Sequence, residues 1–489
     1  MLAIRRSILA WTALAATVAV AAFVGYRVTT AADSTRAGMW DKVAQAESKG
    51  LPRTAIKELE PLIESAIKDK DYPEAIKAVI RKIALEGNIE GNKPEERVVR
   101  LKAAIDKLPK EMHPVLDAVL AHWTWHYYEQ NRWRFLQRTT TAAPVGDDLT
   151  TWDLPRIMAE IDARFAKALA NEKELKATPI GNYDKVISKG SLSDEYRPTL
   201  FDFLVFDAIA FYAAAEHAGA KPQDAFEIEA DGPALAPLAE FLKWEPKATD
   251  SDAPKLKVVK LLQNVLKFHE DDAKRTALLD ADLLRLHLMS NLCVGPAKSG
   301  RYKLVLQEFA ERNKDHELSA LAQARLAQAL FNEGNRVEAK KVADAAVKAY
   351  PESVGGALAY NLTQQILAKE LSFTTERVWP GADALPPVTV SYRNLSKVHF
   401  RAYKLDWDAR VKSFAHQYNP DTTQILTNER VVKVPKEQGG QDYLQFDRQA
   451  EWPGILKGKP TQAWESAVPA TPDFKLRSEK VATPKGFEP

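Results

Sequence analysis

The chain has almost no cysteine: Cys293 is the only one among 489 residues. A single thiol cannot form an internal disulfide or a cysteine-based zinc cluster. The chain also lacks an excess of charge, because 68 basic residues stand against 66 acidic ones and the formal net charge is +2. This balance argues against bulk electrostatic attraction to nucleic acid or to an anionic membrane surface. We therefore expect no nucleic-acid partner.

Long apolar runs are also scarce, and only one could direct the chain to a membrane. Residues 8–26 read ILAWTALAATVAVAAFVGY and follow Arg5 and Arg6. Basic residues before an apolar core are typical of an export signal, and this run is just long enough to span a bilayer. Small residues near Ala32 offer a cleavage site. We predict that residues 1–34 are a signal peptide or a signal anchor. The remainder would be periplasmic, held at the inner membrane through residues 8–26 if the signal is not cleaved.

Motifs that carry catalysis are missing as well. The sequence holds no Ser-His-Asp signature, no phosphate-loop spacing and no convincing carboxylate pair. Cys293 has no identifiable base to activate it, and we interpret it as a small buried hydrophobe. Acidic runs such as HEDDAKR at 269–275 are interpreted as solvated helix ends or turns. We predict a chain that is not an enzyme, with no catalytic, cofactor-binding or metal-binding residue and no cofactor.

The most unusual segment is HWTWHYYEQNRWRFLQRTTT, residues 122–141. His122 and His126 stand four residues apart and would face one side of a helix, with Glu129 three residues further on. Two such histidines are half of a metal site. The metalloprotease helix, however, needs a glutamate directly after the first histidine, and that position is Trp123. No third ligand is evident, so we favour a packing role over a metal site.

Two other interpretations of this segment concern its aromatic residues. They could stack nucleic-acid bases with Arg132, Arg134 and Arg138 on phosphates, but the balanced charge and the export signal argue against it. We favour a helix and turn that hold the helical region together, with the arginines bonded to carbonyls or acidic neighbours. On this view Trp123→Ala destabilises the protein by about 3–5 kcal/mol. The predicted buried stripe consists of Val115, Leu116, Val119, Leu120, Trp123 and Tyr127.

Residues 36–372 are predicted to be irregular paired helices. Apolar residues recur there at helical spacing, and Gly50 and the stretch KDKDYPEA predict turns between helices. Three stretches are predicted to be loops: 139–155, 176–198 and 227–235.

One stretch of this region resembles a tetratricopeptide repeat: residues 320–351, ALAQARLAQALFNEGNRVEAKKVADAAVKAYP. Ala327 and Ala339 would let two antiparallel helices approach closely. Gly334 would make the turn, and Pro351 would stop the second helix. The motif's usual tryptophan and turn aromatic are absent from this stretch.

The period changes to that of β-structure after about residue 373. PPVTVSYRNLSKVHFRAYKLD, residues 386–406, alternates so that Val398, Phe400 and Ala402 share one face. We predict a small antiparallel β-domain over residues 375–450, with ERVVKV at 429–434 as a further strand. Residues 451–489 are rich in proline and are predicted to be an extended tail.

Taken together, four segments resemble the N-terminal region of large bacterial alpha-2-macroglobulin-like proteins, over most of residues 40–410. They follow the export signal in this order: GLPRTAIKELEPLIESAIKDKDYPEAIKAVI, AHWTWHYYEQNRWRFLQRTTT, YRPTLFDFLVFDAIAFY and VTVSYRNLSKVHFRAYKLD. YRNLSKVHFRAYKL is similar to the first strands of a macroglobulin β-sandwich. The resemblance implies a mainly α fold, an irregular tetratricopeptide-like helical-hairpin region followed by a macroglobulin-like sandwich domain.

The resemblance also implies a function, that of a broad-spectrum proteinase inhibitor. Members of that family present a bait segment, change shape when it is cut, and enclose or tether the proteinase. Many carry a thioester in a Cys-x-Glu-Gln pattern, but Cys293 is followed by Val-Gly-Pro, and KEQGGQ at 436–441 has no cysteine before it. We expect a non-catalytic leading segment whose helices act as a scaffold or docking platform, with proteinases or envelope proteins as partners. The alternative is a membrane-anchored, tetratricopeptide-like adaptor that binds other proteins.

Overall fold

The computed structural model describes residues 31–89, 91, 93–137, 146, 148–187, 190, 193–214, 226–375, 387–403 and 457–483, with side chains from Arg36 onward. These residues form sixteen α-helices and five short strands in two antiparallel sheets, so the described chain is mainly helical. The chain divides into two compact units, residues 1–318 and 319–489.

The described part of the first unit opens with three successive helices: α1 (Ala31–Ser48), α2 (Pro52–Lys68) and α3 (Tyr72–Ile89). Gly50 adopts a positive φ of 67° after α1, and Lys70 adopts 59° between α2 and α3, so both predicted turns are present. Arg36 of α1 is buried and donates to Glu74 at 2.7 Å and to Asp71 at 3.3 Å. These bonds fasten α1 to the α2–α3 turn.

Ten further helices lie in the described part of the first unit. Side chains define several of their starts: Asp153 accepts from the backbone of Arg156, and Thr199 forms a capping box with Asp202. The helix bounds are α4 (Pro94–Ile105), α5 (His113–Gln130), α6 (Arg132–Gln137), α7 (Leu154–Ala168), α8 (Glu172–Ala177), α9 (Leu200–Ala213), α10 (Leu238–Lys243), α11 (Pro254–Phe268), α12 (Thr276–Leu292) and α13 (Lys298–Arg312).

The three stretches predicted to be loops contain short regular elements. Residues 149–151, 180–183, 194–196 and 233–235 are single 3-10 turns, and α7 begins inside the first stretch. A bridge pairs Glu229 with Val294. Within the described residues, no helix is both long enough and apolar enough to cross a membrane. The predicted anchor at 8–26 lies outside the described residues.

The second unit starts with three helices, α14 (Leu318–Asn332), α15 (Arg336–Ala349) and α16 (Val354–Leu367). Gly334 makes the first turn with a φ of 84°, and α15 ends at Ala349, just before Pro351. The three helices share one hydrophobic cluster made almost entirely of small residues, in which Ala327 and Ala339 are fully buried. Small side chains let helix backbones approach closely, as the sequence predicts for this stretch.

Five strands follow the helices among the described residues: β1 (Glu370–Thr374), β2 (Val388–Arg393), β3 (Lys397–Ala402), β4 (Gln462–Ala467) and β5 (Arg477–Val481). One sheet has the order β1-β2-β5 and the other pairs β3 with β4, all antiparallel. Val398 is buried and His399 is exposed, so the two lie on opposite faces of β3 as predicted. The predicted strand at 429–434 lies outside the described residues.

The prediction of an extended tail at residues 451–489 is wrong. This segment supplies β4 and β5, which pair with β3 and β2 respectively. Trp464 of β4 stacks on Phe400 of β3 with ring centroids 4.9 Å apart. Pro469 and Pro472 stand between β4 and β5, where no ladder hydrogen bond is needed.

Candidate functional site

The segment of residues 122–137 is a helix followed by a tight turn and a second short helix. Asn131 ends α5, and its side-chain amide donates to the carbonyl of Tyr127 at 2.9 Å. After this one-residue break the chain continues as α6, and Phe135 packs against Tyr127 and Tyr128, with ring centroids 6.1 and 5.7 Å apart. Local capping and aromatic packing thus set the geometry of the segment.

Most aromatic rings of this segment are core. Trp125, Tyr127, Tyr128 and Phe135 are buried, while Trp133 is 66% exposed. Four buried rings cannot offer their faces to nucleic-acid bases, because base stacking requires an open platform. The segment is therefore a packing element in the first unit.

The predicted buried stripe of α5 is partly wrong. Val115, Leu116, Leu120 and Tyr127 are buried as predicted, but Val119 and Trp123 are only half-buried. Trp125 and Tyr128 are buried instead. The reason is that α5 packs against both α4 and α7, so its buried surface is wider than the single stripe expected for a helix packed on one side.

Because Trp125 is buried and Trp123 is only half-buried, we expect substitution of Trp125 to cause the larger loss of stability. Trp125 packs edge-on against Phe211 of α9, with ring centroids 5.4 Å apart. We expect Trp125→Ala to lower the free energy of unfolding by about 3 kcal/mol, as for a buried aromatic. Trp123→Ala is the matched control on the same helix and should lower it by less. Urea denaturation followed by circular dichroism measures both. An equal or larger effect of Trp123→Ala would contradict this assignment.

The two histidines of α5 have separate partners. His122 pairs with Asp207 of α9 and lies against Phe165, whereas His126 contacts Gln130 at 2.7 Å and lies 3.8 Å from Glu129. Burial lowers the pKa of His122, but the charge and hydrogen bond of Asp207 outweigh it, so that the pKa is raised. The pair therefore links α5 to α9. Across the described residues, no three His, Cys, Asp or Glu side chains form a group that could hold a metal ion.

Arg134 contacts aromatic residues of its own segment. Arg134 donates to the Tyr127 hydroxyl at 2.8 Å rather than to the predicted carbonyl or carboxylate. Its guanidinium also lies 5.8 Å from the centre of the Phe135 ring. The Arg134 side chain therefore packs over the aromatic rings of this turn, and its charged guanidinium lies at the edge of the ring cluster. Arg138 lies outside the described residues.

A second histidine site is more deeply buried than the sequence indicates. His269, expected in a solvated turn, is 2% exposed. Its Nε2 lies 2.7 Å from Asp202, the residue that also caps α9, and its Nδ1 lies 2.7 Å from Asp272. Burial lowers the pKa of His269, but the hydrogen bonds and charges of the two carboxylates more than offset it, so that the pKa is raised above 6.5.

The raised pKa of His269 predicts a pH-dependent stability. Below the ordinary pKa of 6.5 the ring is protonated in both states, and the carboxylates stabilise the folded state fully. As pH rises through the higher folded-state pKa, this stabilisation is lost. We expect His269→Gln to abolish part of the fall in unfolding free energy as the pH rises above about 6.5. His126→Gln, on a more exposed histidine, is the control. An unchanged pH dependence in His269→Gln would contradict the prediction.

Cys293 is a buried thiol at the end of α12. It is 2% exposed, and its burial raises its pKa to about 11. Cysteine acts as a nucleophile through its thiolate, which is scarce at neutral pH when the pKa is this high. The geometry agrees with its interpretation as a small buried hydrophobe.

The candidate binding surface is a groove between α2, α3 and α4, with a volume of about 360 Å³. Its floor is apolar, and Val79 and Ile83 in it are buried. Basic side chains dominate its rim. The groove is lined by Ile63, Val79, Lys82, Ile83, Glu86, Arg100, Ala103, Ala104, Lys107 and Leu108.

Two ion pairs lie on the rim of this groove. Lys82 bonds Glu60 at 2.8 Å, and Arg100 lies 3.3 Å from Glu86. Lys107 is exposed and forms no ion pair within the described part of the chain. The sequence did not point to this groove, because its residues come from three helices and the loop after α4 and share no motif.

No protein family, curated protein or solved structure matches this chain.

Proposed function

We propose that this chain is the non-catalytic leading segment of an exported, alpha-2-macroglobulin-like, broad-spectrum proteinase inhibitor. Its helices serve as a scaffold or docking platform, and its strands begin the inhibitor body. The proposal combines the sequence resemblance over residues 40–410 with the arrangement of the strands in the second unit.

The main support for the proposal is the way in which β2 and β3 are connected. The two strands are consecutive, joined through Asn394 with a φ of 57°, yet they belong to different sheets. Val390 and Tyr392 of one sheet share a hydrophobic cluster with Val398 and Phe400 of the other. Two sheets whose inner faces pack together form a β-sandwich. This supports the start of a macroglobulin-like sandwich at the segment VTVSYRNLSKVHFRAY.

The helices before these strands support the tetratricopeptide-like part of the proposal. Ala327 and Ala339 are fully buried, and Gly334 turns the chain between α14 and α15. Helical pairs of this kind stack into extended binding surfaces. We propose that the hairpins of this chain form such a platform, in irregular order.

A direct test uses the full gene product that carries this segment, incubated with a trypsin-like proteinase. A trapped proteinase should keep its activity on a small chromogenic peptide and lose it on a large protein substrate, because enclosure excludes only the large substrate. Residues 1–489 alone are the control and should leave both activities unchanged. Unchanged cleavage of the large substrate by the full product, or equal inhibition of both substrates, would overturn the trapping role.

We further propose export and inner-membrane attachment through residues 8–26. The support is the basic pair followed by the apolar run. Fractionation of bacterial cells should place the chain in the membrane fraction and expose it to added protease only after the outer membrane is opened. Recovery in the cytoplasmic fraction would overturn this localisation.

The second candidate function is a membrane-anchored adaptor. The groove between α2, α3 and α4 favours it, because an apolar floor with charged rims is suited to an amphipathic peptide. The two candidate functions differ in what the chain would bind. An adaptor should capture a protein partner from the cell envelope without affecting any proteinase.

A further inference from the structure

We propose that the α2–α4 groove binds a short amphipathic peptide segment that carries acidic residues beside its apolar side chains. This deepens the docking role proposed above for the helices and rests on that role. The proposed partner is a protein segment whose leucine-like side chains enter the groove and whose carboxylates meet its basic rim.

The floor of the groove sets the apolar part of the ligand. Val79 and Ile83 stand one turn apart on α3, and Ile63 of α2 and Leu108 beyond α4 flank them. A groove of about 360 Å³ holds a few side chains and is too small for a folded domain. Helices recognised in this way present apolar residues at positions i, i+3, i+4 and i+7.

The rim of the groove sets the charge of the ligand. Lys82, Arg100, Lys107 and Glu86 line it, and Glu60 pairs with Lys82, so the rim holds three cations and two carboxylates. The pairs of Lys82 with Glu60 and of Arg100 with Glu86 are partly exposed, and surface pairs of this kind contribute little to stability. A ligand carboxylate can therefore replace or join them at low energetic cost. Lys107 supplies an exposed cation with no ion pair in the described structure.

Charge complementarity of this kind has a measurable signature. Acidic residues on the peptide should raise the association rate and make the affinity fall with added salt. A peptide of the same apolar pattern with lysine in place of glutamate should be repelled by the rim. Binding through the apolar floor alone would not distinguish the two peptides.

The experiment is fluorescence anisotropy with two labelled peptides of about 12 residues, with leucines at helical spacing and either glutamate or lysine elsewhere. The protein is the whole chain in detergent. We expect the glutamate peptide to bind at least ~10-fold more tightly than the lysine peptide. Lys107→Glu should weaken its binding roughly 5-fold or more. Lys110→Glu, an exposed lysine outside the groove, is the matched control and should leave the affinity unchanged.

A second variant tests the floor without removing core contacts. Ala103 is exposed and lines the groove, so Ala103→Trp should cover the floor while the circular dichroism spectrum stays unchanged. We expect it to abolish binding of the glutamate peptide. The inference is overturned by equal binding of the two peptides, by full affinity in Ala103→Trp, or by the lack of any binding. Trapping by the full gene product would persist in each of these cases, so a failure of the groove is distinguishable from a failure of the inhibitor role.

Discussion

Gly355→Ala is expected to lower the free energy of unfolding of the second unit by about 3 kcal/mol or more, at the upper end of the range for overpacking. Gly355 lies in the first turn of α16, where this helix meets the start of α14. A Cβ atom at this position would stand 2.1 Å from the backbone nitrogen of Leu321 and 2.3 Å from the carbonyl carbon of Ala320. Backbone atoms cannot rotate away as a side chain can, so the two helices must separate. The buried alanines of the cluster that the two helices share would then lose contact with one another.

The measurement for Gly355→Ala is urea denaturation followed by circular dichroism, with limited proteolysis to locate the loss. Gly38→Ala is the control, because a Cβ at that helical position meets nothing within 4 Å. Alanine has the higher helix propensity, so the control should be neutral or more stable by up to about 1 kcal/mol. A Gly355→Ala variant as stable as the parent would show that α14 and α16 do not cross this closely.

Arg285→Met is expected to lower the free energy of unfolding of the first unit by about 3–5 kcal/mol. Arg285 of α12 is 1% exposed and pairs with Asp282 of the same helix at 2.6 Å. It also donates to the carbonyl of Ala234 at 2.8 Å, and its guanidinium lies 4.6 Å from the centre of the Phe241 ring. Methionine keeps much of the volume but leaves the buried Asp282 carboxylate and the Ala234 carbonyl without this donor. An uncompensated buried charge is the reason for the large effect.

A double variant separates the ion pair from the packing. Asp282→Leu with Arg285→Met removes both charges and should recover most of the stability lost in Arg285→Met, because replacing both members of a buried pair by apolar groups is often nearly neutral. Urea denaturation of the parent, the two single variants and the double variant gives the coupling energy. A double variant less stable than Arg285→Met would show that packing of the arginine, and not its charge, dominates.

Local features of the fold followed from the sequence because short-range chemistry decides them. Gly50 and Gly334 mark turns that need a positive φ, and both turns are present. The alternation in β3 placed Val398 inward and His399 outward. Residues 36–372 are mainly helical where they are described, as their apolar spacing indicates.

Longer-range features did not follow from the sequence, because they depend on which helices and strands pack against one another. Trp125 rather than Trp123 is buried since α5 packs on more than one neighbour. Residues 462–467 and 477–481 are predicted from the sequence to be parts of a tail, but they form β4 and β5. Short strands of this kind have no strong hydrophobic pattern of their own. Their partners stand 60 or more residues earlier in the chain.

The sequence by itself determined the helical class, the main turns, the alternation of one strand and the balanced charge, all of which are set by neighbouring residues or by composition. Only the tertiary structure decided the pairing of His122 with Asp207 and of His269 with Asp202, the contacts of Arg285 with Ala234 and Phe241, and the existence of the α2–α4 groove. The physical reason is that a buried ion pair or a groove is made by side chains from separate helices, or from a helix and a loop. Their meeting depends on packing, which no local spacing records.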